Sequence, residues 1–334
     1  KTINPLNGLF HPKMIMYTNN KGIVLISVLF IVLILSAIGA SMSNTYLLSI
    51  KRETYVGFQS DAIQYIDNVE TLAKEEIIKQ FSPIRRYTSK SLPMFVNPIR
   101  LESESGNIIA NIEDASACYN INSLVDFTNQ EYTPNERSIA GLKKLLELLK
   151  YNGSEIDEFI DQMIDWIDKD SQPRNYGLED YYYTGPMSEI KQYPSERFFF
   201  DVTELRNLPA SRFINWSDIK QYLCTFPVNE NTRVNINVLD AKHDILLAAL
   251  IPGLSVRDAG AMIEQIPFDG FTSAQQLYAA FPNVSFNEAH LPIGLTSPLI
   301  RLSTSVANQE FEINANSVIE MKNNQAIVIS RFYN

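Results

Sequence analysis

The stretch Gly22-Ile-Val-Leu-Ile-Ser-Val-Leu-Phe-Ile-Val-Leu-Ile-Leu-Ser-Ala-Ile-Gly-Ala-Ser-Met42 carries no charge and is almost wholly apolar. At about 1.5 Å per residue, a helix over 23–42 spans the roughly 30 Å hydrocarbon core of a bilayer. A cleaved secretory signal has a shorter apolar core that ends in small residues, so this segment is expected to stay as a single membrane anchor. Lys1, Lys13 and Lys21 precede it, with no acidic residue before Glu53. That is the positive-inside pattern of a cytoplasmic N-terminus, although Lys51 and Arg52, just beyond the span, pull the other way. Met14 and Met16 are alternative starts that leave only a few residues before Gly22, so 1–15 reads as upstream sequence or a fragment.

The rest has the composition of a folded exoprotein. Apolar residues make up 45% of the chain and aromatics 11%, above what disordered segments carry, and the length beyond the anchor implies two or three units. A net charge of −10 argues against nucleic-acid binding, which needs clustered Lys and Arg, and suits a cation-binding surface. His11, His243 and His290 are the only histidines. No G-x-S-x-G, Cys/His pair or metal-binding His spacing accompanies them, so no enzyme is expected. His243, beside Asp244 at the start of an apolar helix, reads as a surface or capping residue.

Beyond the anchor, Tyr55, Phe58, Ala62, Ile66, Val69, Ala73 and Ile77 recur at spacings of three and four, which predicts one apolar stripe on a continuing helix. Pro83 ends it. Residues 94–102 and 107–113 read as strands joined at Ser105-Gly106, and 299–306, 310–321 and 326–333 as a comparable set near the C-terminus. Between these sets the pattern is helical. Pro134 to Lys150, with Thr133 as N-cap, carries Ile139, Leu142, Leu145, Leu146 and Leu149 on one face, and a second helix follows Ser154 up to Ile167. Residues 122–228 and 233–291 read as two small helical units.

The stretch most suggestive of chemistry is Asp165-Trp-Ile-Asp-Lys-Asp-Ser-Gln-Pro-Arg-Asn-Tyr-Gly-Leu-Glu-Asp-Tyr-Tyr-Tyr183. Asp168, Asp170 and Gln172 alternate as oxygen donors around a turn, and Gly177 permits a reversal that brings Glu179 and Asp180 to the same place. Hard oxygen donors without His or Cys point to calcium rather than zinc. Glu179 falls twelfth from Asp168, as in an EF-hand loop, but Pro173 stands where that loop needs glycine and Tyr181-Tyr182-Tyr183 gives no signal of a partner helix. A second reading has these acids capping the Ser154–Ile167 helix or facing water.

Cys118 and Cys224 are the only cysteines. In an oxidising compartment an even pair is expected to be bridged, the alternative being two buried thiols. A bridge would close a loop of about 106 residues, which is about 4 to 5 kcal/mol in the chain-entropy picture. Ile251-Pro-Gly-Leu-Ser255 followed by 259–263 invites a helix-hairpin-helix reading that grips DNA phosphates, yet Ser255 replaces the second glycine and Arg257 is the only base nearby. Protein packing is the better reading of it.

A short leader ending in Lys21-Gly22, then an apolar helix running into an amphipathic one, resembles the type IV pilins and their type II secretion relatives. In that resemblance a prepilin peptidase cuts after Gly22 and Ile23 becomes a methylated N-terminus. The family's fifth mature residue is usually glutamate, and Ser27 stands there. A glutamate at a helix centre in the bilayer costs about 2.5 to 3.5 kcal/mol and is kept where it pairs with a neighbouring subunit. A subunit without it needs no neighbour above, and the large minor pseudopilins of the K type regularly lack it. Trp166-Ile-Asp-Lys-Asp170 with Gly177-Leu-Glu-Asp-Tyr-Tyr182, Ile112 to Leu124, Asp201-Val-Thr-Glu-Leu205 and Val234-Asn-Ile-Asn237 resemble the same family, although Val238-Leu239-Asp240 departs from its pattern.

The resemblance implies an α+β fold: an N-terminal transmembrane and spine α-helix packed on an antiparallel pilin-type sheet, with a large insertion of two SAM-like helical units. Residues 1–22 would be a cytoplasmic leader, 23–42 the transmembrane helix, 43–82 the periplasmic spine, 83–121 and 292–334 the sheet, and 122–232 and 233–291 the inserts. It implies calcium bound by Asp168, Asp170, Glu179 and Asp180, minor pseudopilins of the I and J types as partners, and an inner-membrane protein with its bulk in the periplasm. The implied role is at the tip of a secretion pseudopilus, with no catalysis and no nucleic acid. A minor pilin of a type IV pilus and a membrane-tethered periplasmic binding protein are the alternatives.

Overall fold

The computed structural model describes residues 21–81, 86–186, 193–228 and 232–333. Most of the expected leader (1–20) and Pro83 lie outside them. The chain divides into two compact units, 1–60 and 61–334. Helix α1 (Lys21–Gln80) contributes to both. In the first unit, 23–42 is exposed throughout, and α1 is the one helix among the described residues long and apolar enough to cross a membrane.

In the second unit, α1 buries Ala62, Ile66, Val69, Ala73 and Ile77 completely, as the three-four spacing requires. Tyr55, counted in the same stripe, is exposed. A periodic pattern records which side of a helix is apolar, not how far along that side a cover extends. Next come α2 (Pro93–Val96), β1 (Ile99–Ser103) and β2 (Gly106–Asp114). Residues 94–96, expected to be extended, form a helical turn begun by Pro93, whose fixed φ favours a first helical position.

The first helical unit follows. It comprises β3 (Tyr119–Asn120), the hairpin β4 (Val125–Thr128) and β5 (Glu131–Pro134), α3 (Glu136–Leu148), α4 (Gly153–Ile167), α5 (Asp180–Tyr183), α6 (Trp216–Ile219) and β6 (Leu223–Cys224). The first long helix thus starts two residues later than Pro134. Asn135 caps it by accepting from Ser138 N at 3.1 Å, while Thr133 and Pro134 complete the hairpin, whose turn residues Asn129 and Gln130 have φ of 54° and 69°. The second unit runs through β7 (Val234–Asn235), α7 (Asp244–Leu250), α8 (Val256–Glu264), α9 (Ala274–Ala280) and β8 (Ile293–Gly294). The chain ends in β9 (Leu299–Ala307), β10 (Glu312–Lys322) and β11 (Gln325–Tyr333).

These three strands join the first two in one antiparallel sheet of order β1-β2-β9-β10-β11. Both helical units are therefore inserted between neighbouring strands β2 and β9. Glu70 of α1, 2% exposed, accepts hydrogen bonds from Ser317 on β10 and from Arg331 on β11, whose Nε lies at 2.8 Å. Arg331 also pairs with Asp67 at 2.9 Å, and the Glu70 carboxylate holds the guanidinium pKa above its usual value.

The two helical units repeat one another. Each opens on a two-residue strand paired in parallel with the strand that closes it, β3 with β6 and β7 with β8, and each opening strand runs into Asn-Ile-Asn-x-Leu. In both, the first asparagine caps a short 3-10 turn, Asn120 for 121–124 and Asn235 for 236–238. The second clasps a later phenylalanine backbone with both amide atoms. Asn122 accepts from Phe199 N at 2.9 Å and donates to Phe199 O at 3.0 Å, and Asn237 does the same to Phe271 at 2.8 and 3.0 Å. Gly270, at φ +70°, leaves room for this: a Cβ there would sit 2.6 Å from Asn237 Cγ.

Asn235 also ties the second unit to the sheet. Its amide donates to Thr88 Oγ1 at 2.8 Å and to Asp114 Oδ2, at the end of β2, at 2.9 Å. Cys118 and Cys224 form a disulfide with Cα atoms 5.8 Å apart, clamping β3 to β6. Replacing Asn237 with Ala strands several buried backbone groups and is expected to cost about 2 kcal/mol or more. Arg331→Ala leaves Glu70 buried without its cation, at about 3 to 5 kcal/mol. Urea titration of the full chain in detergent reads both, and losses below about 1 kcal/mol, the size of a surface pair, would overturn these assignments.

Candidate metal centre

Helix α4 starts with a capping box, Asn152 with Glu155, and buries Ile156, Phe159, Ile160, Met163, Ile164 and Ile167. Its last turns also bury two acids, Asp161 and Asp165. These draw the following loop back onto the helix. Asp161 accepts from Arg174 Nε at 2.7 Å and from Tyr176 N at 3.2 Å, and Asp165 accepts from Arg174 N at 3.1 Å. Gly177 then passes so close to Asp165 that a Cβ would lie 1.7 Å from its Oδ2. The glycine is needed for that approach rather than for a left-handed backbone conformation.

The result places Asp165, Asp168 and Glu179 together, with one carboxylate oxygen of each within 4.8 Å of the others. Asp168 closes α4 as its C-cap, and Glu179 is 4% exposed and precedes the single turn of α5. Among the described residues, the buried side-chain nitrogen and oxygen atoms without a hydrogen-bond partner are Trp166 Nε1, Asp168 Oδ1, Glu179 Oε1, Asp180 Oδ1 and Tyr183 Oη. All five lie in this one stretch, although buried polar atoms are otherwise nearly always paired.

Burial, then the neighbouring carboxylates, push the pKa of Asp168 up to about 7 and of Glu179 up to about 8. Asp165 is raised to about 6, chiefly by burial and against the hydrogen bond from Arg174. Three acids this close cannot all hold their charge cheaply without a cation. Carboxylate oxygens with unused lone pairs, and no His or Cys among them, fit a hard divalent ion.

Of the four acids singled out in the sequence, Asp168 and Glu179 belong to this cluster. Asp170 is exposed and accepts from Gln172 N at 2.7 Å, and Asp180 stands next to the cluster with one buried oxygen unpaired. Asp165, not among those four, is the third member of the cluster. Its signal is present, since Asp161, Asp165 and Asp168 recur at helical spacing and share one face of α4. His243 caps, as its place beside Asp244 suggested: it is buried, and its Nδ1 accepts from Asp240 N at 3.0 Å. At the Gly253 turn, Ser255 Oγ caps α8 by accepting from Asp258 N at 3.1 Å, so the hairpin that invited a phosphate reading is capped from within the chain and carries an acid in its first turn.

Carboxylates with raised pKa keep protons in the folded state that the unfolded chain releases near pH 4. With a chelator present, stability is therefore fully expressed in acid and is lost as pH rises through about 6, 7 and 8. The melting temperature in chelator is expected to fall from about pH 5 to about pH 8 and to level off above. A rise over that window would contradict the clustering.

A family model of type II secretion system protein K matches residues 117–228, the first helical unit. The chain is 25% identical to type II secretion system protein K of Pectobacterium carotovorum over 334 residues, covering 95% of this chain and 98% of that one. It is 26% identical to the Klebsiella pneumoniae protein K, over 76% of this chain and 77% of that one. It is 23% identical to the putative protein K of Escherichia coli K12, over 77% and 78%. A chain in the crystal structure of the GspK-GspI-GspJ complex from enterotoxigenic Escherichia coli superposes with a TM-score of 0.70 at 22% identity, over 82% of this chain and 96% of that one. With an apolar N-terminal helix, a five-stranded antiparallel sheet and paired helical inserts between β2 and β9, this chain carries the type II secretion system protein K domain at 117–228 and is similar over most of its length to proteins K of type II secretion systems.

Proposed function

We propose that this minor pseudopilin of type II secretion sits at the tip of the pseudopilus, its bulk in the periplasm, joined there to minor pseudopilins of the I and J types. The observation that carries the reading is the pairing of a filament-type helix with an insert too large for the strand connection it fills. Helix α1 supplies the handle, first as a single-pass anchor and then, after cleavage between Gly22 and Ile23 and methylation of Ile23, as the filament stem. Two helical units between adjacent strands would block another subunit from stacking above.

Ser27 supports the same position. Its hydroxyl donates to Ile23 O of its own helix at 2.9 Å, so this polar group is satisfied inside the span without a neighbour. A glutamate there would instead require a partner. The GspK-GspI-GspJ assembly of the related solved structure is the basis for naming the partners. The role is structural, and none of it calls for catalysis.

Calcium is the cation proposed for the cluster. Asp165, Asp168 and Glu179 would hold it, with Asp180 beside them. When bound it supplies the positive charge that lets the carboxylates stay ionised. The residues themselves then tie the C-terminal end of α4 to α5, which keeps the first helical unit closed.

Co-expression with the I-type and J-type pseudopilins from the same secretion operon is expected to yield a three-protein complex, and no complex in size-exclusion chromatography would overturn the partner assignment. Calcium at a hundred times its Kd is expected to add about 2.7 kcal/mol to unfolding stability relative to chelator. Ser27→Ala is expected to leave secretion by a complemented deletion strain unchanged, because the hydroxyl is used only within its own helix.

A further inference from the structure

The carboxylate cluster does not account for every unpaired group around it. Tyr183, 2% exposed, ends the single turn of α5, which Asp180 begins and the cluster's Glu179 precedes. Its ring is fixed from two sides, edge-on to Trp166 at 5.5 Å and to Tyr182 at 5.4 Å. Its hydroxyl has no partner, and burial, then Tyr182, Asp165 and Glu179 beside it, push its pKa up. A phenol held rigidly near two carboxylates of the cluster, yet bonded to neither, costs stability for as long as it stays unpaired.

The coordination count supplies the missing partner. Calcium takes about six to eight oxygens, and three carboxylates give three if each binds through one oxygen. Water fills the remainder where protein oxygens do not. Asp168 is only half buried and the loop after it is exposed, so water reaches the cluster from that side. Water held in such a place needs polar partners on the protein.

Building on the calcium reading above, we infer that Tyr183 is a positioning residue for the cation: a water molecule in the coordination shell donates a hydrogen bond to Tyr183 Oη, so the site holds a partly hydrated ion. Trp166 serves this by fixing the phenol ring against rotation. Residues just outside a metal's ligands typically change affinity by about 10- to 100-fold when altered.

The test uses the full chain in detergent, with calcium alone for affinity and europium(III) as the spectroscopic probe. Tyr183→Phe removes only the hydroxyl. In chelator this variant is expected to be at least as stable as the parent, because an unpaired buried group has been deleted. Its calcium Kd is expected to rise about tenfold by calorimetry. Europium luminescence decay in H2O and D2O is expected to count at least one bound water in the parent and one fewer in the variant. An unchanged Kd, an unchanged water count, a parent site with no bound water, or a variant less stable in chelator would each overturn the role of Tyr183 while leaving calcium binding in place. No calcium binding by the parent would overturn both readings at once.

Discussion

Four buried asparagine side chains organise the part of this molecule that lies beyond its apolar helix. Asn120, Asn122, Asn235 and Asn237 are each 5% exposed or less, and a buried amide left unpaired costs about 1 to 3 kcal/mol. Each unit meets that constraint the same way, by using one amide to cap a turn and the next to clasp a phenylalanine backbone far along the chain. The clasp fixes where the returning segment must pass. In the second unit it also reaches Thr88 O, while Asn235 bonds to Thr88 and Asp114, so the insert and the sheet share one buried polar node. Burial pushes the Asp114 pKa up against the hydrogen bonds from Asn235 and Ser116 that pull it down, which makes the node dependent on all its members being present.

The carboxylate cluster follows from that frame. Closing the first unit on Phe199 and bridging Cys118 to Cys224 hold the two ends of a segment of more than a hundred residues together. Within it, α4 is pinned from the far side by Gln162, whose Oε1 accepts from Ala210 N at 2.8 Å, and by Ser195, which donates to Trp166 O at 3.0 Å. The end of the helix is therefore not free to splay. Repulsion among Asp165, Asp168 and Glu179 must be relieved by protons or by a cation rather than by movement. The hydrogen bonds from Arg174 and Tyr176 to Asp161 and Asp165 set the distance between helix and loop.

The apolar N-terminal part of α1 meets a different constraint. Beyond its first turn the helix satisfies its own backbone along 23–42, and Ser27 follows suit with its own side chain. Farther along, Glu70 and Arg331 make the same argument for a protein interior: a buried charge is kept only because its counter-charge arrives from β11. The helix is thus self-sufficient where lipid would surround it and dependent on the sheet where protein does.

The amino-acid sequence by itself settled what is local. The length and apolarity of 23–42, the stripe from Ala62 to Ile77, the strand pairs on either side of the insert and the helix ending at Ile167 all follow from periodicity, because a side chain's burial within one element depends on spacing along that element. The Asn-Ile-Asn repeat was equally present, yet its meaning rests on Phe199 and Phe271, which lie 77 and 34 residues downstream. Tertiary structure alone decided those partners. It also decided that Asp165 rather than Asp170 joins Asp168 and Glu179, since the membership of a charge cluster is set by how a loop folds back on a helix, and that path is dictated by hydrogen bonds to Arg174 and Tyr176 that no local pattern encodes.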